Sequence, residues 1–393
     1  MLTSVTNTPR DYEWGSTELL ADLEGRPASG AREAEIWFGD HPSCPAIVPD
    51  GRTLGAWLAE EGSDAGAPAR LPFLLKLLAA ASSLSIQAHP SRAQAIEAFA
   101  REEAAGIPRD APDRTYRDEN HKPELIVAVS DTFTALAGIR DLAATRRLLA
   151  LLGTGGTALA ARLSGADAAT SVRDAIAWLL SGEAAGDIAA IVAAAGGAES
   201  DEFTAELALV RTLAEDFPGD PGLGVALLMN LVVLRRGEGL FVPAGVLHAY
   251  QEGLGVEIMA ASDNVLRGGL TPKHVDVREL LSVLDPTPGP VPVLRPAEAG
   301  GIVRFAPDVP DFALTKVSVG DQEDIVLPIG SAAIVLATAG AVTARGARSG
   351  QGVGLQPGRA VLVTPDESEL TLTGAGEAFI AQPGAGWVAV SAS

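Results

Sequence analysis

The chain has 393 residues, 47% of them hydrophobic, and a formal net charge of −21. That length allows two or three domains with a sizeable core, and the apolar content excludes a disordered chain. No Lys/Arg-rich run offsets the acidity, which argues against nucleic acid and anionic membrane surfaces as partners.

Met1 to Arg10 show no basic stretch followed by an apolar one, so no signal peptide is expected. Tyr12–Ser16 and Ala34–Pro42 read as short strands ending in turns. Cys44 is the single cysteine. It rules out an intrachain disulfide and a Cys-rich zinc site, and a reducing, cytoplasmic setting is expected. An apolar run from residue 72 leads into Leu84–Ala93. There Ser85, Gln87 and His89 project from one side of a predicted strand and Leu84, Ile86 and Ala88 from the other. Pro90 ends the pairing, and residues 92–105 have helical spacing without breakers. Residues 106–123 form a polar, Pro-rich loop. It closes on Asn120-His121-Lys122-Pro123-Glu124, which sets a carboxylate at the start of a buried strand, Glu124–Val129.

Between Asp141 and Pro218 the texture becomes helical, with segments Asp141–Leu152, Thr157–Leu163, Val172–Leu180 and Phe203–Phe217. The longest apolar run, near Val225–Leu234, is far shorter than a bilayer span. A Pro-Ala-Gly turn at Pro243–Gly245 then delivers His248 and Tyr250 onto one strand face. A lone His after apolar residues is more often a satisfied core histidine than a ligand, but two His, one carboxylate and one amide oxygen (His89, His248, Glu124, Gln87) would fill a tetrahedral or near-tetrahedral zinc site. In the stretch from Glu257 to His274, Arg267 and Lys273 are two cations in an acidic chain. They are ordinary surface charge or a phosphate clamp. Residues 311–393 are almost pure β (Phe312–Val319, Ala332–Thr338, Ala341–Ala344, Arg359–Val363, Leu370–Leu372, Glu377–Ala381), a cadence of sandwich or barrel. A helical block between β segments reads as an insertion into one β domain.

The runs Ser85-Ile86-Gln87-Ala88-His89-Pro90, Asn120-His121-Lys122-Pro123-Glu124, Pro243-Ala244-Gly245 with His248-Ala249-Tyr250, and Ala261 through Lys273 resemble, in that order, the type I mannose-6-phosphate isomerases. Tyr12–Ser16 and Ala34–Gly39 are similar to that family's opening strands. The resemblance implies a mainly β fold: two cupin (double-stranded β-helix) domains plus an α-helical subdomain. The catalytic cupin domain would comprise 1–135 and 223–300, the helical insert 136–222 and a C-terminal cupin-like domain 301–393. It implies one zinc per chain on Gln87, His89, Glu124 and His248, and a catalytic role for Arg267. Glu257, His121 and Lys122 are candidate proton carriers. Ser85, Lys122 and Lys273 are candidates for the phosphate end, and Tyr250 and Asp263 for further substrate contacts. The implied reaction is aldose–ketose isomerisation of mannose 6-phosphate to fructose 6-phosphate through a cis-enediol. The partner is a small phosphosugar, with a monomer slightly favoured. The competing readings are a non-catalytic sugar-phosphate-binding cupin and an iron-dependent cupin oxygenase. His41 and His274 are read as structural or surface residues.

Overall fold

The computed structural model describes residues 1–291, 293–320 and 324–387. The first of two antiparallel sheets is built on Phe73–Ala80, whose eight residues are all buried. A strand without a solvent face shows an unbroken apolar run, and this one is interrupted only by Lys76. It pairs along its whole length with the thirteen-residue strand His248–Ala260, from Phe73↔Ala260 to Ala80↔Gly253. Glu124–Ala128 flanks that strand on its other side, and Glu35–Phe38 lies beyond Phe73–Ala80.

The first part of His248–Ala260 leaves these partners and pairs with Thr132–Ile139 and Gln87–Ala88. Two features make the bend. Gly253 has φ 125°, and a Cβ there would lie 2.9 Å from both the Phe133 ring and the Thr132 carbonyl oxygen. The register also jumps from Thr134↔Glu252 to Ala135↔Tyr250, leaving Gln251 as the extra residue of a bulge. Nine residues separate His248 from Glu257, an odd number that puts them on opposite faces of a regular strand. The bulge reverses the alternation and removes that conflict.

The stretch expected as a six-residue strand pairs in a ladder only at Gln87–Ala88. Its flanks are extended and held singly, Leu84 N–H by the Tyr250 carbonyl (2.8 Å) and Ile86 N–H by that of Gly269 (3.0 Å). Ser91 then caps the helix Arg92–Ala104 in a reciprocal box with Gln94, fixing the chain just after His89.

Between the paired strands Thr132–Ile139 and Met229–Arg235 the chain runs through helices Leu142–Leu151, Thr157–Arg162, Ala168–Leu180, Ala185–Gly197, Thr204–Asp216 and Gly222–Ala226. Ala185–Gly197 was not foreseen, because its Ala/Gly composition offers little apolar contrast to reveal a period. The helices share a core with Ile86, Ala88, Leu247, Leu266 and Leu270, so they back the segments around Gln87 and His248. Among the described residues no single helix is long and apolar enough to cross a membrane.

The second sheet is dominated by Ala333–Gly346 and Glu369–Gln382, paired almost end to end. The sequence reading cut each in two at a glycine. Gly340 (φ 65°) and Gly374 (φ 106°) instead let the strands bend without leaving the ladder. Leu2–Val5 pairs with Ala360–Val363, so this strand belongs to the second sheet, not to the first as a 1–135 unit would have it. Leu125, Val256 and Ile258 pack in one core with Phe305, Phe312, Leu314 and Phe379.

One contact joins the helices to the turn that follows Arg267. The Asp220 carboxylate accepts hydrogen bonds from the backbone N–H of Gly222 (2.7 Å), Leu270 (2.8 Å) and Thr271 (3.1 Å). It holds Leu270 at φ 54°, a conformation costing an L-residue roughly 1–2 kcal/mol. Asp220→Ala should therefore lose about 2–3 kcal/mol, read as a lower thermal midpoint, with Asp220→Asn losing less. An unchanged midpoint would show that the turn holds itself.

Candidate metal centre

Gln87 and His248 face each other across the ladder, Glu124 opens its own strand, and His89 follows the short strand Gln87–Ala88. These elements bring the side chains to one point. Nε2 of His89 lies 3.1 Å from Glu124 Oε1, and Nε2 of His248 lies 3.1 Å from Glu124 Oε2. One donor atom from each of the three residues falls within 4.8 Å of the others. All three side chains are buried.

The protons are elsewhere. His89 Nδ1 donates to the Asn264 carbonyl (2.7 Å), and His248 Nδ1 donates to that of Val246 (3.1 Å). A neutral ring so held keeps a lone pair on Nε2. Burial pushes His89 down to about 4, against the pull of Glu124 and helped by Lys122. The ring is neutral at pH 7. Its Nε2 has no hydrogen-bond partner among the described residues despite lying so close to a carboxylate. Acceptor facing acceptor in a dry site is unfavourable unless a cation lies between them. The Gln87 amide nitrogen stands 3.3 Å from His248 Nε2. A half-turn of the carboxamide presents its oxygen there. Two imidazoles, a carboxylate and an amide oxygen are a donor set that fits zinc.

Glu124 is ready for such an ion. Burial, the largest influence, opposes its charge, but Lys122 and then the two histidines outweigh burial and hold the carboxyl well below its ordinary value. Lys122 Nζ is 3.0 Å from Glu124 Oε1, and Tyr250 OH is 3.4 Å from Oε2. Behind Tyr250 lies a second buried set. Lys76 Nζ is 2.9 Å from Glu257 Oε2 and 3.3 Å from Glu35 Oε1, while Trp37 Nε1 donates to Glu35 Oε2 at 2.8 Å. Burial works against the Lys76 charge, yet Glu257, Glu35 and Glu124 together raise its pKa above the ordinary lysine value. Burial also raises Glu257; Lys76 pulls it down, and Glu124 and Glu35 push it up again.

Of the other residues singled out in the sequence, Arg267 pairs in register with Gln87 and so projects from the same face. Ser85 is half-buried two residues before Gln87, and Lys273 is exposed beyond the Asp220-held turn. Asp263 lies 3.3 Å from His41 Nε2, whose ring stands edge-on to Trp37. His41 is therefore a buried part of the site wall. His121 does not join the cluster. Its Nε2 is 2.7 Å from Asp311 on the C-terminal side, beside Arg92. Lys76 and Glu35, which sit beside Glu257, were not singled out in the sequence. Lys76 had a visible signal, since a lysine inside an apolar strand must find buried partners.

A profile described as "Phosphomannose isomerase type I, catalytic domain" matches residues 2–142. The mannose-6-phosphate isomerase of Escherichia coli (strain K12) is 34% identical over 391 residues, covering 94% of this chain and 96% of that protein. The Homo sapiens enzyme is 31% identical over 404 residues, covering 91% and 92%. The crystal structure of mannose 6-phosphate isomerase from Salmonella typhimurium bound to fructose 6-phosphate and zinc superposes with a TM-score of 0.88 at 32% identity. That match covers 98% of this chain and 99% of that one.

The buried Lys76 makes a test of the electrostatics. Lys76→Met leaves Glu257 and Glu35 without their cation and should cost about 3–5 kcal/mol at neutral pH. A carboxyl whose folded pKa lies above its unfolded value contributes stability that is full below about pH 4.3 and is lost as pH rises. The deficit in thermal midpoint of the metal-stripped variant should therefore shrink from pH 8 towards pH 5. A deficit that grows on acidification would contradict the network.

Proposed function

The chain belongs to the type I phosphomannose isomerase family, and on that premise we propose that it interconverts mannose 6-phosphate and fructose 6-phosphate at one zinc ion held by Gln87, His89, Glu124 and His248. The observation that carries this is the buried convergence of two Nε2 lone pairs on Glu124, with Arg267 on the same face as Gln87. The fold reading follows. The first sheet is a cupin domain into which the helices of 136–222 are inserted, and the described residues from 301 onward form a second with Leu2–Val5. The lone free cysteine suits a reducing compartment, in keeping with a protein working in the cytoplasm.

The reaction opens the sugar ring, takes the proton from C2, and returns a proton to C1 through a cis-enediol. Zinc, when bound, supplies Lewis-acid polarisation of a sugar oxygen. Glu257 removes the C2 proton as a carboxylate and delivers it to C1. Burial has moved its pKa towards the working pH, where a carboxyl both accepts and releases protons readily. Lys76, 2.9 Å away, fixes the orientation of that carboxylate. Arg267 donates N–H groups to O1 and O2 as charge collects there, the role for which a planar fork is suited. Lys122 and Tyr250 flank Glu124 and donate to sugar hydroxyls. Ser85 and Lys273 lie at the phosphate end. His121, tied to Asp311, takes no part.

The purified chain should carry about one zinc and convert mannose 6-phosphate in a coupled assay. His248→Ala should lose both metal and turnover. Glu257→Gln should keep zinc while kcat falls by about 10²-fold or more. Full turnover in metal-free His248→Ala would overturn the zinc site, and undiminished kcat in Glu257→Gln would remove Glu257 as the proton carrier.

A further inference from the structure

One buried carboxylate outside the metal centre has its partners on the other sheet's segments. Asp311 stands in the loop between Ile302–Phe305 and Ala313–Val319, two paired strands of the second sheet. Its side chain is 5% exposed, and Phe312 beside it is fully buried in the core that both sheets share. The carboxylate therefore stands on a fixed base. Among the described residues its hydrogen-bond partners are Arg92, which donates from Nη2 to Oδ1 at 3.0 Å, and His121, whose Nε2 lies 2.7 Å from Oδ2.

Both partners sit close in sequence to candidate zinc ligands. Arg92 comes three residues after His89, at the start of the helix that Ser91 caps, and His121 comes three residues before Glu124. Arg92 Nη2 and His121 Nε2 are 3.1 Å apart. A ring nitrogen so near a carboxylate carries its proton there, so both of these nitrogens are donors. Two donors at that separation gain nothing from each other. The shared carboxylate, with one oxygen for each, holds them together. The loop is pinned elsewhere through main chain, at the Asn120 carbonyl by Asn264 Nδ2 (2.8 Å) and at the Pro123 carbonyl by Ala260 N–H (3.2 Å). Neither of those contacts ties it to the segment that follows His89.

A buried ion leaves only when its ligands part, which takes a local opening of the segments that carry them. We propose that Asp311 is a positioning residue of the metal centre, a latch from the second sheet that ties the His89 and Glu124 segments together and slows release of the ion. The inference rests on the zinc reading and gives the second sheet a part in it without contact to the substrate.

The test mixes the zinc-loaded full chain with excess chelator and follows zinc release. Asp311→Ala should speed release by roughly tenfold. Asp311→Asn, which keeps the shape and one acceptor oxygen, should release more slowly than Asp311→Ala. The double variant Arg92→Ala/His121→Ala should release as fast as Asp311→Ala, and adding Asp311→Ala to it should change the rate by less than about twofold, because the latch is already open. Release from Asp311→Ala within about twofold of the parent overturns the proposal. It does so even if the thermal midpoint of the metal-stripped variant falls, since Asp311 would then only join the two sheets. Effects that multiply in the triple variant overturn it as well. A parent that holds no zinc removes the zinc reading and the latch with it. A parent that holds zinc through the latch but converts no mannose 6-phosphate supports the proposal and removes the isomerase reading alone.

Discussion

The carbonyl oxygens of Asn264 and Val246 accept hydrogen bonds from Nδ1 of His89 and His248, and a carbonyl has no proton to give in return. Each ring must therefore carry its proton on Nδ1 and its lone pair on Nε2. The ring centroids are 5.0 Å apart, and both lone pairs look towards Glu124. Burial forbids the obvious escape, protonation of His89, by holding its pKa near 4. What remains is a pocket of electron pairs that a divalent cation satisfies better than any rearrangement of the protein. The tautomers are set by main chain, so the site is prepared before the ion arrives.

Around that point the charges are graded. Lys122 and Lys76 sit inside, each within about 3 Å of a carboxylate. At that separation a unit pair is worth roughly 5 kcal/mol at an effective dielectric of 20. Such energy offsets desolvation only when the geometry is fixed, and fixed it is. Trp37 receives Lys76 on its ring at 5.0 Å and donates its own N–H to Glu35. Further out, Arg267 and Lys273 form no salt bridge among the described residues, and two such cations suit an anionic ligand in an otherwise acidic protein.

Much of this was legible from residue order. Ser85-Gln87-His89 alternation, the carboxylate opening an apolar run at Glu124, and the turn before His248 each show in a few residues, because strands and turns are local. The strand His248–Ala260 was not legible as one element. Its glycines read as breaks, whereas Gly253 is where the strand bends between partners and Gln251 is an extra residue no pattern announces. His121 was misplaced for a related reason. Its neighbours in sequence line the site, but its partner Asp311 lies 190 positions away along the chain, beyond the reach of any local pattern. The part played by Asn264, which holds both the loop before Glu124 and the His89 ring, was equally hidden, because those contacts are tertiary.

The helices between Leu142 and Ala226 look dispensable by sequence, since they carry no chemistry-bearing motif. Their packing argues otherwise. They share a core with Ala88 and Leu266, residues of the two short strands Gln87–Ala88 and Leu266–Arg267, and with Ile86 just before the first. Two-residue strands cannot hold a side chain to a fraction of an ångström by their ladder alone. The apolar faces beneath them supply the rigidity the ladder lacks. Asp220 adds a polar contact at the far end, holding Leu270 in a conformation it would not keep unaided. The insert is thus the floor on which both the amide and the guanidinium stand. Changes in its packing should reach the chemistry through the aim of Gln87 and Arg267, with no residue of the insert touching the substrate.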